Sequence, residues 1–227
     1  MASAGPLPLV LVTLAGATAG LLMVRGLHSH AYRHQEERSL PPRHVGWVVP
    51  VSAVVSTSIW LATSPGSPAL VPITYLACSW VLIALAAIDL DVHRLPDAIQ
   101  LPGYPVLLVL LACCSILTGD LDALLRASLA GAGMFGLFFV LLLAAPNGGM
   151  GFGDVKLSGL LGLLLGWLSW RHATVATLGT FVLGGFVAAV LLVSGRSDRR
   201  GEFAYGPVMV ASALMTIILL PLAAEAA

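Results

Sequence analysis

Charge is scarce in this chain. Only 10% of its 227 residues are charged, against 58% hydrophobic residues and a mean hydropathy of +0.96. That balance leaves too little polar surface to cover a soluble domain of this size. Neither sign of charge dominates: eleven basic and eleven acidic residues give a formal net charge of zero, so the basic surface that a nucleic-acid partner requires is missing and none is expected. Cysteine is scarcer still. Cys78, Cys113 and Cys114 lie inside apolar runs with no CxxC or Cys/His spacing, which excludes a disulfide framework and a zinc site and leaves them as small lipid- or core-facing residues. Long polar segments and internal repeats are also missing, so no separate soluble domain is expected. What remains is an all-α polytopic membrane protein.

A hydrocarbon core about 30 Å thick takes roughly 20 apolar residues per helix. On that template the sequence predicts eight spans, near Pro8–Val24, Val45–Ala62, Leu70–Ile88, Leu101–Leu117, Leu125–Ala145, Lys156–Trp170, Thr174–Val193 and Gly206–Leu222. The sixth runs into the seventh through Ser169-Trp170-Arg171-His172, which keeps seven spans as the rival count. Ala17-Thr18-Ala19 resembles a small-residue cleavage site. No positive charge precedes the first run, however, and Arg25 follows it, so an uncleaved first helix with its start outside is expected.

Basic residues divide unevenly between alternate loops. Arg25, Arg33, Arg38, Arg43, Arg94, Lys156, Arg196, Arg199 and Arg200 fall on one side, and Arg126 and Arg171 on the other, nine against two. The first side is expected to be cytoplasmic, with both termini outside. His28, His30, His34 and His44 share the Arg25–His44 loop with no acidic or Cys ligand at a recognisable spacing, so the loop reads as a positive loop and no metal is expected. Small residues at helical spacing, Gly16 with Gly20 and Gly162 with Gly166, permit close helix approach.

The acids are few enough to take singly. Glu36, Glu37, Asp120, Asp122, Asp198, Glu202 and Glu225 read as solvated loop charges. Asp89, Asp91, Asp97 and Asp154 occur instead at helix ends on the basic side. Asp89 closes the third apolar run, where a negative charge opposes the helix dipole and suggests a functional placement. Asp97 follows Pro96 where a helix needs an N-cap. Asp154 ends a glycine-rich string just as the chain re-enters an apolar helix, a costly site for a charge. Two carboxylates brought from different helices to one membrane face could share a proton and split the roles of base and acid, as in aspartic proteases. A proton-coupled transporter would also use intramembrane carboxylates, so on these grounds both readings stand.

The motifs around these acids resemble those of a known family. Gly151-Phe152-Gly153-Asp154 is a GxGD motif, and Gly148 through Leu157 is similar to the signature of the type IV prepilin peptidases, membrane aspartic proteases of bacteria. Ile88 through Asp97, an Asp at a helix end followed seven residues later by Pro and Asp, resembles the family's other motif. Phe203-Ala204-Tyr205-Gly206-Pro207 is similar to its [F/Y]GP segment. GxGD alone also occurs in presenilin-type proteases, so a GxGD protease of the presenilin or signal-peptide-peptidase type, acting on other membrane proteins, is the nearest alternative within the enzyme class and differs by its substrates.

The resemblance implies that Asp89 and Asp154 are catalytic. Gly151, Gly153, Lys156, Asp91, Pro96 and Asp97 are then substrate-binding or motif-supporting residues, with Arg94 and Lys156 able to bias the pair or meet lipid phosphate. It further implies two N-terminal helices with a basic loop over residues 1–69 and a six-helix peptidase core over 70–227. The substrate would be a prepilin or pseudopilin precursor with a basic leader, a Gly before the cut and an apolar helix after it, cleaved at the cytoplasmic face of a bacterial cytoplasmic membrane. Many members carry a CxxC zinc insert after the first span, associated with N-methylation. The Arg25–His44 loop has no cysteine and is too short for such an insert, so a peptidase with no cofactor, no zinc and no S-adenosylmethionine site is expected. Membrane lipid is its other partner, and the sequence carries no signal for an oligomeric state.

Overall fold

The computed structural model describes residues 6–35, 37, 44–144, 150–194 and 204–220. Gly148 and Gly149 of the glycine string, Arg38, Arg43, Arg196, Arg199, Arg200, Phe203, and the acids Glu36, Asp198, Glu202 and Glu225 lie outside the described residues. Eight helices follow in order: α1 Pro6–His28, α2 Val48–Thr63, α3 Leu70–Val92, α4 Asp97–Thr118, α5 Leu121–Ala144, α6 Phe152–Leu168, α7 Trp170–Val193 and α8 Gly206–Leu219. Five of them, α1, α3, α4, α5 and α7, are long and apolar enough to cross a membrane. The other three have 16, 17 and 14 helical residues. The chain is an all-α polytopic membrane protein.

The eight-helix count is decided at Ser169. Its backbone turns extended (φ −173°, ψ 165°) between α6 and α7, and its hydroxyl accepts the N–H of His172 at 3.2 Å, as a serine N-cap does. The His172 ring is buried against Ser169 Oγ at 2.7 Å and the Leu220 carbonyl at 3.2 Å. A second break, between α3 and α4, is made by His93 in the left-handed region (φ 51°) and then Pro96.

α6 is the centre of the bundle. From Asp154 to Leu168 every residue but Lys156 is buried, which fits a helix that is apolar on all sides. Small residues set the spacing to α5: a Cβ on Gly162 would lie 2.6 Å from the Ala130 carbonyl oxygen, and one on Gly166 would overlap the Ala130 side chain. Gly16 and Gly20 likewise let α1 close on α2, so both small-residue pairs are packing devices. The Tyr75 hydroxyl on α3 donates to the Leu164 carbonyl at 2.7 Å, and Trp167 Nε1 on α6 to Ser115 Oγ on α4 at 2.8 Å.

Arg126 has a more specific place than the sequence suggested. Its guanidinium donates to the carbonyls of Gly166, Trp167 and Leu168 at 2.8, 2.8 and 3.3 Å, which satisfies the orphan acceptors at the C-terminus of α6. The start of α5 and the end of α6 therefore share one end of the bundle. Asp89, Asp97 and Asp154 share the other.

Candidate active site

At that other end the C-terminus of α3, the start of α4 and the start of α6 surround an open cleft of about 960 Å³. Asp89 and Asp154 line it, with Gly151, Gly153, Lys156, Pro96 and Asp97. Seven of the eight residues singled out in the sequence thus meet around one cavity. Asp89 is 4% and Asp154 8% exposed, and the two carboxylates are near enough to interact electrostatically.

Each acid is fixed by a backbone N–H. Asp89 lies a full turn before the C-cap rather than in a frayed end, because α3 continues to Val92. Its Oδ2 accepts the N–H of Gly206, the first residue of α8, at 3.1 Å. A Cβ on Gly206 would stand 2.7 Å from that same oxygen, so only glycine allows the contact. Asp154 lies in the first turn of α6, and its Oδ2 accepts the Gly151 N–H at 3.2 Å, half of a capping box. Leu95 fills the space between the two segments, 3.1 Å from where a Cβ on Gly153 would be and 3.4 Å from one on Gly206. Tyr205, just ahead of α8, has its hydroxyl pushed up to about 12 by burial and by the Asp154 charge, so it remains a neutral donor.

Asp97 corrects an expectation. The N-cap of α4 is Pro96, with extended backbone (φ −66°, ψ 124°), and no side chain caps the helix. Asp97 is the first helical residue, where an acid suits the dipole, and its Oδ1 accepts Lys156 Nζ at 2.7 Å. That ammonium also stands 4.7 Å over the Phe152 ring. Lys156 is therefore held by groups of its own site.

Asp91 is the site residue that points away from the cleft. It is buried and accepts a bidentate Arg33, Nε to Oδ2 at 2.8 Å and Nη2 to Oδ1 at 2.7 Å, with the Tyr32 hydroxyl adding 2.6 Å to Oδ2. Arg33, expected among the basic residues of a positive cytoplasmic loop, is 4% exposed. Its guanidinium is held above its ordinary value by the bond to Asp91, against the effect of burial. Burial, then the bond and charge of Asp91, push the Tyr32 hydroxyl up to about 12.

Glu37 is a second correction. Its carboxylate is partly buried and accepts Arg94 Nε and Nη2 at 3.2 and 3.1 Å, plus the His34 N–H at 2.7 Å. Burial works against its charge, yet these donors outweigh it and hold the carboxyl below the ordinary range. Arg94 Nη2 also reaches the Tyr32 carbonyl at 2.9 Å. The segment after α1 is thereby fastened to the end of α3, and its Ala31, Tyr32 and His34 form a wall of the cleft. The sequence held one signal for this: a carboxylate two residues after Asp89, at the end of an apolar helix, needs a cation. Among the described residues no group of three His, Cys, Asp or Glu could hold a metal ion.

Fold and site together define a multi-pass helical membrane protein with two buried carboxylates in a cleft open at one end. Residues 76–193 match the type IV leader peptidase family, and the chain belongs to that family. It is 28% identical over 169 residues to the prepilin leader peptidase/N-methyltransferase of Aeromonas hydrophila, 74% of this chain and 56% of that protein. It is 31% identical over 144 residues to the Pseudomonas putida protein of the same name, covering 63% and 48%. The likeness to its Burkholderia pseudomallei counterpart is 33% over 141 residues, 60% and 43%. The chain spans about half the length of these relatives. No solved structure matches it.

Proposed function

We propose that this protein is a membrane aspartic endopeptidase that removes the leader from prepilin or pseudopilin precursors, with Asp89 and Asp154 as its catalytic pair. The observation that carries the reading is the convergence of two buried carboxylates, from α3 and α6, on one open cleft, in a member of the leader peptidase family. In this reading one carboxylate takes a proton from water as it attacks the scissile carbonyl. The other donates its proton to the carbonyl oxygen; the first then passes the proton taken from water to the leaving nitrogen, as the second recovers its own from the hydroxyl of the collapsing tetrahedral intermediate. Gly206 and Gly151 keep the two acids oriented through their N–H groups, and Gly153 brings backbone close to the bound strand.

The cleft end faces the cytoplasm of a bacterial cytoplasmic membrane in this proposal, as the basic residues Arg25, Arg33, Arg94 and Lys156 at that end support. The relatives' names pair the peptidase with an N-methyltransferase. The Arg25–His44 loop has no cysteine, which supports cleavage without methylation. A proton-coupled transporter finds no support, since both acids stand at one end of the bundle in a cleft and the family is one of peptidases.

The test uses the full chain in lipid nanodiscs with a prepilin-type precursor carrying a basic leader, a Gly before the cut and an apolar helix. N-terminal sequencing and mass of the product, with S-adenosylmethionine present, should show a cut after the Gly and an unmethylated new N-terminus. Asp89→Asn and Asp154→Asn should abolish the cut, and Asp122→Asn, at the opposite end, should not. Cleavage retained in either of the first two overturns the assignment.

A further inference from the structure

Asp154 sits in the first turn of α6, directly behind glycines whose backbones carry little rigidity of their own. Gly151, the N-cap, has no side chain with which to cap that turn. The hold comes from α4. Gln100 Nε2 donates to the carbonyl of Gly153 at 3.1 Å, and the Tyr104 hydroxyl donates to the carbonyl of Lys156 at 2.6 Å. Lys156 Nζ reaches back to Asp97 at 2.7 Å. Residues 97, 100 and 104 form one stripe along α4. The carbonyls gripped by Gln100 and Tyr104 belong to the residue before Asp154 and the second residue after it.

Two details show that this grip is not incidental packing. Gln100 is completely buried, and its Oε1 has no hydrogen-bond partner among the described residues. Stability alone would favour an apolar residue there, and a choice against stability is expected where function requires it. Tyr104 reaches the Lys156 carbonyl only because position 159 is glycine, since a Cβ there would overlap the Tyr104 hydroxyl. Neither Gln100 nor Tyr104 lines the cleft.

We propose that Gln100 and Tyr104 are positioning residues for Asp154, which fix the first turn of α6 and so the direction in which the carboxylate enters the cleft. This rests on the peptidase reading of the cleft. Gln100→Met in the full chain keeps the side chain's length and removes the bond. It should lower kcat about 10-fold with KM within about twofold of wild type, and the protein should melt no lower. Gln100→Glu supplies a rescue: the introduced carboxyl can donate to the Gly153 carbonyl while neutral and cannot once ionised. Its cleavage rate relative to wild type should approach one at acid pH and fall as pH rises, a decline additional to the one the catalytic pair imposes on both proteins. Tyr104→Phe should lower kcat in the same manner.

A kcat for Gln100→Met within about twofold of wild type, or a loss confined to KM, overturns the proposal. So does a kcat loss that merely follows a lower melting temperature. If Gln100→Met fails to fold, the acid rescue and Tyr104→Phe decide. If wild type and Asp154→Asn cleave alike, the peptidase reading falls instead, and positioning is then read without activity. Carbodiimide modification of Asp154, followed by mass spectrometry, should shift its pH midpoint by about half a unit in Gln100→Met. An unchanged midpoint overturns the proposal.

Discussion

Removing the Arg33 charge should loosen the whole cleft end of the protein. Arg33 and Asp91 form a buried bidentate pair at 2.7 and 2.8 Å across 58 residues of sequence. Arg33→Met keeps apolar bulk in place and leaves the Asp91 carboxylate buried without its guanidinium. Breaking such a pair from one side costs about 3–5 kcal/mol, whereas replacing both partners with apolar groups is often neutral, because most of the loss is the stranded charge. Thermal unfolding of the full chain in nanodiscs, run for Arg33→Met, Asp91→Leu and the double variant, measures the coupling. The double variant should be more stable than Arg33→Met by about 2 kcal/mol or more. Limited proteolysis should cut segment 29–37 faster in both singles. An Arg33→Met cost under about 1 kcal/mol, or a double variant no better than the worse single, would mean that the Arg33–Asp91 pair does not hold the cleft end together.

Gly206→Ala should remove activity rather than stability: the new methyl would stand 2.7 Å from Asp89 Oδ2, and a rotating carboxylate relieves the clash more easily than backbone does. A loss of about 10²-fold in cleavage rate is expected, with a near-normal melting temperature. Arg126→Leu should do the reverse, lowering stability by about 1–3 kcal/mol as the α6 carbonyls lose their donors, while cleavage per folded molecule is unchanged. Acid should release the segment after α1. The folded-state pKa of Glu37 is depressed, so its contribution is complete above the ordinary glutamate range and lost as pH falls below that range toward the lowered value. Proteolysis within residues 29–37 should accelerate over that window, and Glu37→Gln should flatten the response.

The helices were legible because each is a long apolar run, and the two principal acids because each stands where a charge is costly. Helix ends were less so. Asp97 was expected to cap α4, yet Pro96 takes the N-cap and frees Asp97 for Lys156. The break between the sixth and seventh spans was expected near Trp170–Thr174 and falls at Ser169, where an extended backbone and a capping hydroxyl, rather than hydropathy, set the boundary. What the sequence hid most completely were pairs made across the fold: Arg33 with Asp91, Glu37 with Arg94, Gln100 with the Gly153 carbonyl, Arg126 with the end of α6. Each joins residues some 40 to 58 positions apart, and no local periodicity encodes which loop charge will fold inward.

If Asp89 and Asp154 work as one unit, a cycle of cleavage rates will show it. Single-turnover leader cleavage would be measured for wild type, Asp89→Asn, Asp154→Asn and the double variant at equal membrane levels. Groups that act together are strongly non-additive, so each single variant should fall to the background rate and the double variant should be no slower than either. Partial losses that multiply in the double variant would mean that the two carboxylates contribute independently and are not a catalytic pair.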